Sequence, residues 1–181
     1  MFLVDTNILL YAVHDASPRH AVASSLLERW RRQPTPWFTT WPILYEFMRL
    51  MTHPRMLRSP WSLMNATSFV HALLQTPSLS VLTPTSRHMD VLELTVGEVR
   101  GLSGSIVHDL HTAVLMREHG VSRVVTSDRD FTRFPFLDVI DPFRPGGGPM
   151  LVSDGPHPAY GPKQRSAPAI KRRPRRARGA R

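Results

Sequence analysis

The sequence predicts an α/β fold with a mainly parallel sheet covered by helices on both faces. Two observations carry that expectation. Short apolar runs (FLV, WFTT, SVL, RVVT, DVI) alternate with longer stretches of helical periodicity. The first four strand-like runs are also separated from one another by helical segments, the pattern of right-handed crossovers between parallel strands.

Taken in order, Phe2–Val4 is a short buried strand and Thr6–His14 continues as a helix. A second helix runs through AVASSLLERWRR (21–32), starting near Ser17-Pro18, and the two prolines in QPTP break it. WFTT (37–40) is the next strand. Trp41-Pro42 opens a helix to about Thr52, proline being tolerated in a first turn, and His53-Pro54 ends it. Pro60–Leu74 is helical, Ser80–Leu82 is a strand and Ser86–Val99 is helical. Ser105 is the expected N-cap of a helix from Ile106 to His119 that stops at Gly120. SRVVTS (122–127) is the strongest strand, and LDVID (137–141) supplies a last short one.

The charge is unevenly spread. Residues 1–144 hold 14 Lys/Arg against 13 Asp/Glu, whereas residues 145–181 hold nine Lys/Arg against Asp154 alone. The expectation is one domain over 1–144, long enough to bury a core, followed by a basic Pro/Gly-rich tail over 145–181. The tail has too little apolar pattern to offset its ordering entropy, so it is expected to be disordered. It either attracts phosphates without reading sequence or is a solvated extension. No run approaches the roughly 20 apolar residues of a membrane helix. The N-terminal run lacks a basic leader and is interrupted by Asp5 and Asn7, which points to a cytoplasmic protein. With no cysteine, disulfides, thiolate zinc sites and a thiol nucleophile are excluded.

Four carboxylates stand in awkward places. Asp5 and Asp128 each close a strand, and in open α/β sheets ligands bind beyond the carboxyl ends of strands. Either alone would pass as a helix cap or turn residue. On the helix from Trp41, residues Trp41, Leu44, Tyr45 and Met48 cover one side. Ile43, Phe47 and Leu50 cover much of the other, leaving Glu46 in a narrow strip with Pro42, Arg49 and His53. A helix apolar nearly all round is expected to be buried, so Glu46 needs a partner, either Arg49 at i+3 or a metal. Asp109 shares a face with Ala113 and Met116, and its place in a first helical turn also suits the helix dipole. His108 and His111 lack a third ligand and read more plainly as solvent-facing.

Carboxylates about 4 Å apart repel by roughly 4 kcal/mol at an effective dielectric near 20. Such a cluster persists only with a cation or with shifted pKa values. Hard oxygen donors suit Mg²⁺ or Mn²⁺ rather than Zn²⁺. One or two such ions can activate water against a phosphodiester, so metal-assisted phosphodiester hydrolysis fits the pattern.

VDTNILLYA, TTWPILYEFMRLMTHP, VHDLHTAVLMREHG and VVTSDRDFTRFP occur in an order and spacing that resemble the PIN-domain family, and within it the VapC-type toxins of type II toxin–antitoxin systems. The resemblance spans about residues 2–143 and excludes the tail. It implies a three-layer α/β/α sandwich and a Mg²⁺- or Mn²⁺-dependent endoribonuclease. The family's acidic positions fall on Asp5, Glu46, Asp109 and Asp128, its last-motif hydroxyl on Thr126 and its polar residue after the first acid on Asn7. Asp5, Glu46 and Asp109 would hold the first metal, and Asp128 would orient a second ion or the attacking water. Asn7 and Thr126 would position ligands or phosphate, or else cap a helix and satisfy a strand end. Asp130 is either a fifth acid or a helix-start residue. Leu110 stands where many relatives have a small residue.

The resemblance also implies RNA as substrate, a homodimer and a cognate antitoxin. Leu26, Leu27 and Trp30 could line a groove for the antitoxin, although ordinary core contacts are the favoured reading. Three other functions compete. A PIN-type RNA-processing nuclease outside toxin–antitoxin systems would present the same site. A non-catalytic RNA-binding protein is disfavoured because acids repel RNA unless a metal is bound. A haloacid-dehalogenase-like phosphatase would need a second Asp where Asn7 stands.

Overall fold

The computed structural model describes residues 1–144; the basic tail lies outside the described residues. Five strands form one parallel sheet: β1 (Phe2–Val4), β2 (Trp37–Thr40), β3 (Leu79–Leu82), β4 (Arg123–Val125) and β5 (Asp138–Ile140), in the spatial order β3-β2-β1-β4-β5. Helices α1 (Thr6–Val13), α2 (His20–Arg32), α3 (Trp41–Met51), α4 (Leu63–Leu74), α5 (His88–Glu98) and α6 (Ile106–Glu118) connect and flank the strands. The α/β/α sandwich expected from the alternation is the observed architecture.

β1 is central, with Leu3 registered against Phe38 on one side and Val124 on the other. A central parallel strand is covered on both faces, so it has no polar side, and Phe2, Leu3 and Val4 are all buried. Phe2 stacks on Trp30 of α2 at 5.1 Å between ring centroids, and Trp30 meets Trp37 of β2 at 6.0 Å. Leu26, Leu27 and Trp30 are therefore core residues, as the favoured reading had it, and not an exposed groove. α1 packs on α2 and α3, α3 on α4, and α5 on α6. Among the described residues, no helix is long and apolar enough to cross a membrane.

Several boundaries move for local chemical reasons. α2 begins at His20 rather than near Ser17, because Ser17 closes a turn that its hydroxyl and carbonyl share with Arg19 and His20. α4 begins at Leu63, with the Ser62 hydroxyl accepting from Asn65 N at 3.1 Å. Ser105 does not cap α6: its backbone is already helical and its side chain makes no capping bond. The stop at Gly120 holds. Gly120 takes φ +67°, Val121 N bonds Met116 O at 2.8 Å and Gly120 N bonds Arg117 O at 3.3 Å, the paired closure that needs a left-handed residue.

Candidate active site

From β1 the chain steps outward through β2 and β3, then crosses to the opposite side for β4 and β5. The carboxyl ends of β1 and β4 thus flank the point where the strand order reverses, the place where an open parallel sheet leaves a crevice. Asp5 follows β1 directly, and Thr126, Ser127 and Asp128 follow β4.

Asp5 is the N-cap of α1 and is buried. Its Oδ1 accepts the Thr6 N–H at 2.7 Å, and its Oδ2 accepts the Thr126 hydroxyl at 2.6 Å and the Asn7 amide at 2.7 Å. A carboxylate has roughly four acceptor positions, so about one remains. Thr126 is fully buried and fully used: it donates to Asp5 and accepts from Asn7 Nδ2 at 2.7 Å and Asp128 N at 2.9 Å. Asn7 does not cap α1. Its amide bridges Asp5 and Thr126, while its Oδ1 accepts from Ser127 N at 3.1 Å. β4 is shorter than the expected 122–127, although backbone bonds to the β5 segment continue on both sides of it, Thr126 N to Ile140 O at 3.0 Å and Asp138 N to Ser122 O at 2.7 Å.

Burial pushes the Asp5 carboxyl up. The Thr126 and Thr6 hydrogen bonds oppose this, Glu46 and Asp128 add repulsion, and the result is about 6. Asp109, half-buried in the first turn of α6 and on the side of Ala113 and Met116, is pushed to about 7. Its causes are burial first, then the charges of Asp128, Asp5, Asp130 and Glu46. No hydrogen bond from a described residue reaches the Asp109 carboxylate. Carboxylates that arrive on β1, α3, α6 and the loop after β4 therefore share one electrostatic field.

Glu46 joins the cluster by a different route from the one its sequence implied. The wheel of α3 predicts burial all round, but Trp41 is 44% exposed, Tyr45 is 65% exposed and Glu46 is itself exposed. Only Ile43, Leu44, Phe47 and Met51 face the core. α3 covers one face of the sheet at its edge, so its outer aromatics meet solvent. Glu46 Oε2 accepts from the Thr6 hydroxyl at 3.1 Å, and Oε1 pairs with Arg49 at 3.6 Å. Asp128 and Asp130 are exposed at the mouth. Asp128 Oδ1 accepts from Asp130 N at 2.9 Å, and Asp130 opens a 3-10 turn, Asp130–Arg133, in keeping with its reading as a helix-start residue.

Among the described residues, no three His, Asp or Glu side chains are close enough together to form a ready coordination shell. The donor set nonetheless fits a hard divalent cation. It consists of carboxylate oxygens, two of whose pKa values are raised by burial first and by the neighbouring acids second, and Glu46 pairs with Arg49.

The family model for the PIN domain matches residues 2–137. The chain belongs to the PIN-domain family. Its relatives within that family include ribonuclease VapC48 of Mycobacterium tuberculosis, 30% identical over 77% of this chain and 95% of the relative. Ribonuclease VapC33 of the same organism is 31% identical over 80% and 99%, and ribonuclease VapC37 is 34% identical over 74% and 92%. Among solved structures, M. tuberculosis VapC20, a sarcin–ricin-loop-cleaving toxin, superposes with a TM-score of 0.53 at 20% identity, covering 73% of this chain and 93% of that one. VapBC2 of Rickettsia felis, bound to a promoter DNA fragment, also gives 0.53 at 17% identity, over 76% and 96%. At those identities the structural likeness speaks for the fold.

Two features of this PIN domain have no local signal in the sequence. Arg19, in the turn before α2, donates through Nη1 to the Tyr11 hydroxyl and to Ser127 Oγ, both at 3.0 Å. His88 on α5 and Glu118 on α6 form a close pair in which the Glu118 side chain is 0% exposed. His111 stands edge-on to His88 at 5.5 Å, so it is half-buried rather than solvent-facing, and burial and the His88 charge lower its pKa. His108 is exposed, as expected.

Proposed function

We propose that the protein is a metal-dependent endoribonuclease of the VapC type, the toxin of a type II toxin–antitoxin pair, hydrolysing RNA phosphodiester bonds at the Asp5, Glu46, Asp109 and Asp128 cluster. The observation that carries this reading is the oriented carboxylate of Asp5 at the switch point, in one electrostatic field with Asp109, both pKa values being raised by burial first and then by the surrounding acids.

Asp5, Glu46 and Asp109 would hold Mg²⁺ or Mn²⁺. The bound ion would supply Lewis-acid stabilisation of the phosphate and a more acidic water. Thr126 and Asn7 keep Asp5 in one orientation, with about one acceptor position left for a ligand. Asp128, exposed at the mouth and anchored through its N–H to Thr126, orients the attacking water or a second ion. Asp130 supports Asp128 through its backbone and adds charge at the rim.

RNA as substrate, a cognate antitoxin, a homodimer and a cytoplasmic location belong to the same reading, supported by the ribonuclease names of the relatives and by the VapBC2 assembly of the structural neighbour. The purified protein should cleave RNA with Mg²⁺ or Mn²⁺, and either Asp5→Asn or a chelator should abolish cleavage. Activity that survives both would exclude the site. A processing nuclease outside toxin–antitoxin systems would share the chemistry. It is separated by whether a short reading frame encoding a DNA-binding partner lies beside this gene and whether its product blocks cleavage.

A further inference from the structure

Arg19 is a half-buried cation held entirely by neutral groups. Its guanidinium lies over the Tyr11 ring at 5.0 Å and the Phe143 ring at 4.9 Å, and those rings meet edge-on at 5.4 Å. Nη1 is committed to the Tyr11 hydroxyl and Ser127 Oγ. No described carboxylate pairs with Arg19, and its Nε and Nη2 donors bond no described residue. No described acid offsets this charge, which is fixed in place on two rings and two hydroxyls.

Its location indicates what the counter-charge is. Ser127, which accepts from Nη1, donates its own N–H to Asn7 Oδ1, and Asn7 donates to Asp5. Three successive hydrogen bonds thus tie the guanidinium to the acidic cluster, with the free Nε/Nη2 edge left for a ligand. That edge is the planar fork that matches two phosphate oxygens. An acidic site that must accept a polyanion also needs a cation beside it that does not neutralise the acids themselves.

We propose that Arg19 binds the RNA phosphate adjacent to the scissile one and so sets the register of the strand over Asp5 and Asp109. The proposal rests on the ribonuclease reading and deepens it. The role is specific to arginine: lysine keeps the charge but loses the fork and the flat contact with Tyr11 and Phe143.

The test uses the full chain with Arg19→Gln and Arg19→Lys, and a labelled single-stranded RNA. Binding is measured with Ca²⁺, an oxygen-liganded cation that offsets the acidic cluster, across a salt series, and steady-state cleavage is measured with Mg²⁺. Loss of one phosphate contact should make the slope of log affinity against log salt shallower by about 0.7 for Arg19→Gln. Its KM should rise about tenfold, the scale of one charge-assisted hydrogen bond, with a smaller change in kcat. Arg19→Lys should keep the wild-type salt slope and recover part of the KM. A structural strap would lower the melting temperature but leave the slope and KM of the folded variant unchanged, and that result overturns the proposal. Wild-type protein that binds RNA with an Arg19-dependent slope yet cleaves nothing would remove the ribonuclease reading while sustaining this one. Wild-type protein that binds no RNA would remove both.

Discussion

The Thr126 hydroxyl lies 2.6 Å from a carboxylate oxygen of Asp5, across 121 positions of sequence. Thr126 has no accessible surface, and each of its hydrogen-bonding positions is taken. Replacing it with valine keeps the shape, removes the hydroxyl and strands the Asn7 amide and the Asp128 N–H. Thr126→Val should cost about 1–3 kcal/mol and lower the melting temperature by several degrees, with cleavage reduced. Thr126→Ser should restore most of both. Equal stability of the valine form and the wild type would show that the hydroxyl is incidental.

The raised carboxyls of Asp5 and Asp109 make a prediction about pH. Each ordinarily titrates at 3.8 but is held at about 6 and about 7 in the folded protein. Across that interval the native state binds more protons than the unfolded chain, so the metal-free protein should lose stability as pH rises from about 4 to about 7. Thermal denaturation in chelator should show a higher melting temperature near pH 5 than near pH 7.5, and Asp109→Asn should flatten the difference. Mg²⁺ or Mn²⁺ should raise the melting temperature most at the upper end. A flat profile in chelator would mean that the two carboxyls are better solvated than their burial implies.

The Glu118–His88 pair has the opposite sign. Burial pushes the Glu118 carboxyl up, but hydrogen bonds from Thr85 N at 2.8 Å and from His88 outweigh it, so its pKa falls below the ordinary 4.5. Its stabilisation is present above pH 4.5 and is lost as pH falls through the lowered value. Glu118→Gln should cost about 1.5–3 kcal/mol near neutrality, as for hydrogen bonds to a charged group, with less difference from wild type in acid. Unfolding curves at two pH values check it.

Gly120 and Gly97 should respond to alanine in opposite directions. Neither site has an atom within 4 Å of an added Cβ, so backbone conformation alone decides. Gly120 sits at φ +67°, where alanine costs about 1–2 kcal/mol. Gly97 lies inside α5, where alanine gains roughly 0.8–1 kcal/mol of helix propensity. Denaturant midpoints of the two variants should move to either side of the wild type.

Residues 145–181 carry nine cations against one carboxylate. Their deletion should leave kcat unchanged and weaken RNA binding at low salt, with a shallower salt slope. Unchanged affinity would make the tail a passive extension.

Much of the fold was legible locally. FLV, WFTT and RVVT paired as strands, and Gly120 ended α6, because β-branched and aromatic runs and a left-handed stop act through near neighbours. Asp5 and Asp109 were also legible, since a carboxylate at a strand end or on an apolar helix face conflicts with its own surroundings. Glu46 does stand beside the first turn of α1, through the Thr6 hydroxyl, but not for the reason its periodicity implied. The periodicity of α3 records how apolar each side is, but not that Trp41 and Tyr45 would face solvent at the edge of the layer.

What the sequence determined by itself is the set of elements, their order and the acids at their ends, because propensity, capping and side-chain alternation are short-range. The tertiary structure alone decided that β1 lies between β2 and β4, and with it that Asp5 meets Thr126 and that Arg19 reaches Ser127. Strand order is set by the packing of the whole core, and no local pattern records which distant hydroxyl, guanidinium or imidazole that packing will bring within hydrogen-bonding distance of a carboxylate.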